Sequence, residues 1–198
     1  MKTFVEDVID LLDYLKIEKA HIMGASFGGF VAQEFALQFP ERVNKLILAC
    51  TTAGGENHVA PDIEILRSFT RALNLPLGKR IRNFFCPAFT EKFHVEHAEE
   101  VEKVCRLREE NEVTDATYSA QLHTAFNFDL ENKVGTIKHE TLVLTGDKDN
   151  LVPMQNSINL ANKLPNAVLK IIKNGSHMIF VENADEFNKI INDFVLCH

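Results

Sequence analysis

Ser26 sits in Gly24-Ala25-Ser26-Phe27-Gly28, Asp149 in Gly146-Asp147-Lys148-Asp149-Asn150-Leu151-Val152-Pro153, and His177 in Asn174-Gly175-Ser176-His177. A serine, a carboxylate and an imidazole are the parts of a nucleophilic acyl-transfer centre. The hydroxyl attacks poorly until a nearby imidazole takes its proton. The carboxylate fixes the imidazole tautomer and stabilises the imidazolium. Backbone N–H groups then stabilise the oxyanion. Glycines two residues either side of Ser26 fit a tight strand-to-helix turn that lifts the hydroxyl above a sheet. Such a turn strains the serine backbone. Side chains at 24 and 28 are expected to clash, which would require glycine at both.

Two of these assignments have competitors. Asp147 could cap a turn or be the acid itself. Asp149 is preferred because it lies further into the loop, before Pro153 opens a helix. His177 competes with His21, His58, His94, His97, His123, His139 and His198. It alone follows a core strand behind a glycine. His123 reads as an ordinary helix residue or as a pocket-lining group.

The elements that must position these residues follow from hydrophobic periodicity. Phe4, Val5, Val8, Leu11, Leu12 and Leu15 mark one face of a helix over residues 4–16. A strand over 20–25 leads into the Ser26 turn, and a helix over 28–39 ends before Pro40. Residues 45–50 form a second short apolar strand. From 58 to 135 the pattern is helical, at 62–74, 95–110 and 114–126, with no clear strand. Alternation then resumes: strand 141–145, helix 153–163, strand 168–172 and helix 184–196. Strands alternating with helices predict an α/β fold with a parallel sheet flanked by helices. Ser26, Asp149 and His177 each follow a strand, so all three are expected at the same edge of that sheet, where ligands bind. The helical stretch 58–135 is expected to cap that edge, leaving 1–57 and 136–198 as the core.

Composition narrows the function classes. At 198 residues, 45% hydrophobic and 25% charged, the chain has the size and make-up of one globular domain. A net charge of −7, with no basic run, argues against nucleic acid. The acidic start argues against a signal peptide, and no apolar stretch is long enough for a membrane span. Cys50, Cys86, Cys105 and Cys197 are widely spaced without CxxC pairing, and read as reduced thiols of a cytoplasmic protein rather than as metal ligands.

The motif set resembles the alpha/beta-hydrolase superfamily. It comprises Met23-Gly24-Ala25-Ser26-Phe27-Gly28-Gly29-Phe30 with Gln33, Phe39-Pro40-Glu41-Arg42-Val43, residues 141–149 with Val152-Pro153, and Ser176-His177 followed by Glu182. The closest likeness is to small capped members such as carboxylesterases and enol-lactone hydrolases. The resemblance implies a serine hydrolase of small carboxylic esters, lactones or thioesters, with a Ser26-His177-Asp149 triad and no cofactor or metal. It also implies the Phe27 backbone N–H as one oxyanion donor. The cap aromatics Phe69, Phe84, Phe85, Phe126 and Phe128, with His123, are expected to line the pocket or to pack the cap onto the body.

Family members carry further strands ahead of the serine turn, and the loop that donates the second oxyanion N–H. The expectation is therefore an N-terminally truncated fold. Weak activity would follow, as would a homo-oligomer that covers the exposed edge strand at 20–25. The alternatives are a catalytically inactive remnant that folds and binds small molecules, and an acyltransferase or cofactor-free perhydrolase.

Overall fold

The computed structural model describes residues 1–72, 75–76, 79–82, 86–111 and 113–197, and the side chains of all of these except 69, 70 and 86. Four strands form one parallel sheet in the order β1 (Ala20–Ala25), β2 (Val43–Ala49), β3 (Thr141–Gly146), β4 (Ala167–Ile172). Chain order and spatial order coincide, and each crossover contains helix. α1 (Lys2–Tyr14) precedes β1, and α2 (Phe27–Gln38) joins β1 to β2. The β2–β3 connection carries α3 (Ile63–Ala72), α4 (Glu91–Glu96), α5 (Ala98–Glu110) and α6 (Asp115–Phe126). α7 (Met154–Lys163) joins β3 to β4, and α8 (Ile179–Glu182) and α9 (Ala184–Leu196) follow.

Period-two alternation splits the strand residues between two cores. Leu46, Leu48 and Val143 face a cluster with Val5 and Leu12 of α1, Phe30 and Phe35 of α2, and Leu160 of α7. Ile47, Ala49, Leu142 and Leu144 face Ile179 and Phe187 on the other side. Near-continuous apolar runs in β2 and β3 are what a sheet covered on both faces requires. Among the described residues β1 has a strand neighbour on one side only.

The expected helices and strands are present, with ends that coincide or move by up to four residues; residues 73–74 of the helix expected at 62–74 lie outside the described residues. Two features differ. The helix expected at 95–110 is two helices, α4 and α5, separated by His97, which caps α4 and opens α5 at φ −132°. The four-residue α8 directly behind His177 falls below the length that periodicity can detect.

Candidate active site

Ser26 occupies the turn between β1 and α2 with φ 52° and ψ −120°. A non-glycine residue at positive φ is uncommon and signals strain held by its surroundings. Three hydrogen bonds of the Ser26 backbone hold it. Ser26 N donates to Ala49 O at 2.9 Å, at the end of the neighbouring strand. The Ser26 carbonyl accepts from Gly29 N and from Thr51 Oγ1, both at 2.9 Å. A Cβ on Gly24 would lie 2.1 Å from Gly28 O, so the turn closes only over glycine at 24. The expected clash at Gly28 is not found: a Cβ there meets nothing within 4 Å. The turn folds the backbone of residue 28 against residue 24, while the Cβ direction of 28 leads into open space. Phe27 begins α2, so its N–H has no carbonyl four residues back within the helix and remains free to donate.

Asp149 and His177 come together across the ends of β3 and β4. His177 Nδ1 lies 2.9 Å from Asp149 Oδ2 and 3.1 Å from Oδ1. Oδ1 also accepts from Leu151 N at 2.9 Å and Val152 N at 2.8 Å, which fixes the carboxylate from behind. The two loops can approach because residue 146 is glycine: a Cβ there would lie 2.0 Å from Gly175 O. Lys148 N donates to that same carbonyl at 2.8 Å. The Asp149 side chain is 0% exposed and that of His177 8%. The carboxylate hydrogen-bonded to His177 is that of Asp149, while the Oδ1 of Asp147, the competing acid, is buried without a hydrogen-bond partner.

The end of β2 supplies a residue that sequence reasoning passed over. Cys50 has φ 47° and is fully buried. Its Sγ, an Asp149 oxygen and a His177 ring nitrogen lie within 4.8 Å of one another. Burial pushes the thiol well above its usual range, and the neighbouring Asp149 carboxylate pushes it further. The signal was available: Cys50 follows an apolar strand, as Ser26 does. Cys50 also links the two halves of the site, because it adjoins Ala49, the partner of Ser26 N. Among the described residues no hydrogen bond joins Ser26 Oγ to His177.

The 58–135 segment sits directly on these loops. Ala88, Phe89, Val101 and Cys105 pack with Leu151 and Met178, the neighbours of Asp149 and His177. Met178 N donates to Ala88 O at 3.2 Å. Glu182 ties the same layers, accepting from Thr90 N at 2.5 Å and Ser176 N at 3.3 Å. An open cleft of about 450 Å³ reaches the loop, lined by Asp62, Glu64, Ile65, Asp149, Asn150 and Pro153. His123 and Phe126 are not among the residues that line this cleft. Phe126, the last residue of α6, is 70% exposed. Phe128 is buried and stacks on Phe30 at 4.1 Å, which joins the segment to the body. Phe84 and Phe85 lie outside the described residues, as does the Phe69 side chain. No described helix is long and apolar enough to cross a membrane.

Comparison with known proteins places this geometry. The pattern of the alpha/beta hydrolase fold family matches residues 1–184. The chain is 30% identical over 192 residues to a 2-hydroxy-6-oxo-6-phenylhexa-2,4-dienoate hydrolase of Comamonas testosteroni. That match covers 93% of this chain and 65% of the relative, so the chain spans less than two thirds of the relative's length. A meta-cleavage product hydrolase of Pseudomonas fluorescens IP01 superposes with a TM-score of 0.78 at 25% identity, over 98% of this chain and 71% of that one. The enol-lactonase of Burkholderia xenovorans LB400 shares the fold, with a TM-score of 0.85 at 22% identity, over 98% of this chain and 72% of that one.

Proposed function

This chain belongs to the alpha/beta hydrolase fold family, and on that premise we propose that it hydrolyses small carboxylic esters, lactones or thioesters through Ser26, His177 and Asp149. The observation that carries the reading is the buried Asp149 carboxylate held against His177 Nδ1, at the sheet edge where Ser26 stands at positive φ. With Nδ1–H donated to Asp149, the lone pair of Nε2 is free to take the Ser26 proton. Ser26 Oγ attacks the acyl carbon, and Phe27 N–H donates to the developing oxyanion. His177 returns the proton to the leaving group. Water, deprotonated by His177, then releases the acyl group. Formation of the Ser26–His177 hydrogen bond on substrate binding fits the general behaviour of such sites. Relatives named for a hydroxy-oxo-dienoate and for an enol-lactone support small oxygenated substrates.

Fluorophosphonate labelling tests the reading. Wild type is expected to label and Ser26→Ala to lose the label; equal labelling of both overturns it.

The proposal extends to self-association of this chain through β1. Its free edge carries Met23 at 44% exposure, and Leu11, Tyr14 and Leu15 of α1 are also exposed. Sedimentation at micromolar concentration is expected to give a dimer or larger species, and a monodisperse monomer refutes it.

A further inference from the structure

The Cys50–Asp149–His177 cluster adds to two residues of the hydrolytic reading a third donor, Cys50, that hydrolysis does not use. A thiol, a carboxylate and an imidazole, all buried, converge within 4.8 Å. Tetrahedral zinc takes these three donor types, with Zn–S about 2.3 Å and Zn–N and Zn–O about 2.0–2.2 Å. Those bond lengths set neighbouring donors roughly 3.3–3.7 Å apart in a tetrahedron. The cluster is therefore of a size that closes on one ion with small side-chain shifts. The carboxylate is already oriented by Leu151 N and Val152 N, the kind of outer contact that supports metal ligands. Cys50 stands at φ 47° and packs in the apolar cluster of Ile47, Leu144 and Ile179 while its thiol also reaches this corner.

We propose that Cys50, Asp149 and His177 form an inhibitory zinc site built into the catalytic centre. The inhibition rests on the reading of His177 and Asp149 given above; the binding does not. Zinc enters as a dication between the three side chains. The Cys50 thiol loses its proton to solvent and binds as thiolate. The His177 proton moves from Nδ1 to Nε2, and the freed Nδ1 lone pair binds the metal. Asp149 stays a carboxylate, so the cluster charge goes from −1 to zero. One proton is released and nothing is oxidised or reduced. Nε2 now carries hydrogen and can no longer accept the Ser26 proton. The fourth position is left to water.

Cobalt is the probe, because a cobalt–thiolate bond gives a near-ultraviolet charge-transfer band and tetrahedral cobalt gives visible bands. The metal-free full chain titrated with Co²⁺ is expected to develop both. Cys197→Ser, which removes the exposed thiol, is expected to keep them, and Cys50→Ser to lose the thiolate band. Cys50→Ala repeats the measurement if Cys50→Ser does not fold. No band in wild type, or a band that persists without Cys50, overturns the site. Zinc is expected to suppress ester hydrolysis by wild type, with at least about tenfold more zinc needed in Cys50→Ser. Equal zinc sensitivity of the two overturns the inhibition. A Cys50-dependent band alongside labelling that ignores Ser26→Ala would keep the metal site and sink the hydrolase reading, so the two failures are distinct.

Discussion

Asp149 reaches His177 Nδ1 with both carboxylate oxygens, at 2.9 and 3.1 Å, while two backbone N–H groups hold Oδ1 from the opposite side. The arrangement leaves one tautomer of His177 favoured, with hydrogen on Nδ1. Asp149→Asn would present an amide that can donate to Nδ1 and so favours the other tautomer. The expected loss in kcat is on the order of 10⁴-fold, as for the same change in a serine protease triad. Asp147→Asn is expected to stay within a few-fold of wild type, since the carboxylate hydrogen-bonded to His177 is that of Asp149. Steady-state rates on short nitrophenyl esters decide between the two carboxylates.

Gly24 and Gly28 flank Ser26 symmetrically in sequence but not in space. An added Cβ at 24 would press into the backbone of Gly28, which cannot yield without moving the start of α2. Gly24→Ala is expected to cost about 3 kcal/mol and to displace Ser26. At Gly28 the same methyl meets open space in a helix. Gly28→Ala is expected to stabilise by about 0.5–1 kcal/mol through the lower entropy of the unfolded chain. Urea unfolding of both variants measures the difference; equal destabilisation would contradict the asymmetry.

That asymmetry shows what the sequence could and could not carry. The strands were legible because their apolar runs are short and bounded by turn residues, and those of β2 and β3 are buried on both faces. Placing Ser26, Asp149 and His177 at strand ends needed only that alternation. A preference for Asp149 over Asp147 could be argued from loop position, but the direction of each carboxylate depends on how residues 147–152 fold, which periodicity does not encode. The role of Cys50 was hard to read for a different reason. A single cysteine after a strand has no partner in sequence, and its neighbours Asp149 and His177 arrive from about a hundred residues away. Because α6 has no strong apolar side, nothing in its pattern says which way His123 and Phe126 turn.

Thr51 is fully buried, and its hydroxyl donates to the Ser26 carbonyl at 2.9 Å. Gly29 N serves the same carbonyl, so Thr51→Val removes one donor without orphaning the acceptor. The expected cost is about 1 kcal/mol in stability. Because the bond anchors the strained residue itself, kcat is expected to fall by up to ~tenfold with KM little changed. Thr51→Ser keeps the hydroxyl and is expected to recover most of both. Recovery by serine separates the hydrogen bond from the packing of the Thr51 methyl.

Glu131 links the loop after β2 to α7, and predicts an acid-sensitive joint. It accepts from both the backbone N and the side-chain amide of Asn57, and pairs with Lys163 Nζ at 2.9 Å. The Asn57 amide, then Lys163, hold the Glu131 carboxyl down from its ordinary 4.5 to about 2. A carboxylate depressed in the folded state stabilises the fold fully above its unfolded pKa, because there both states are ionised and only the folded one has these partners. As pH falls from 4.5 towards 2 the unfolded state takes up the proton first, and the contribution is lost across that window. The difference in Tm between wild type and Glu131→Gln is therefore expected to be constant above about pH 5.5 and to shrink steadily below pH 4.5. Thermal melts at half-unit pH steps measure it. A difference that stays flat down to pH 3 would mean that the Asn57 and Lys163 contacts do not favour the charged form.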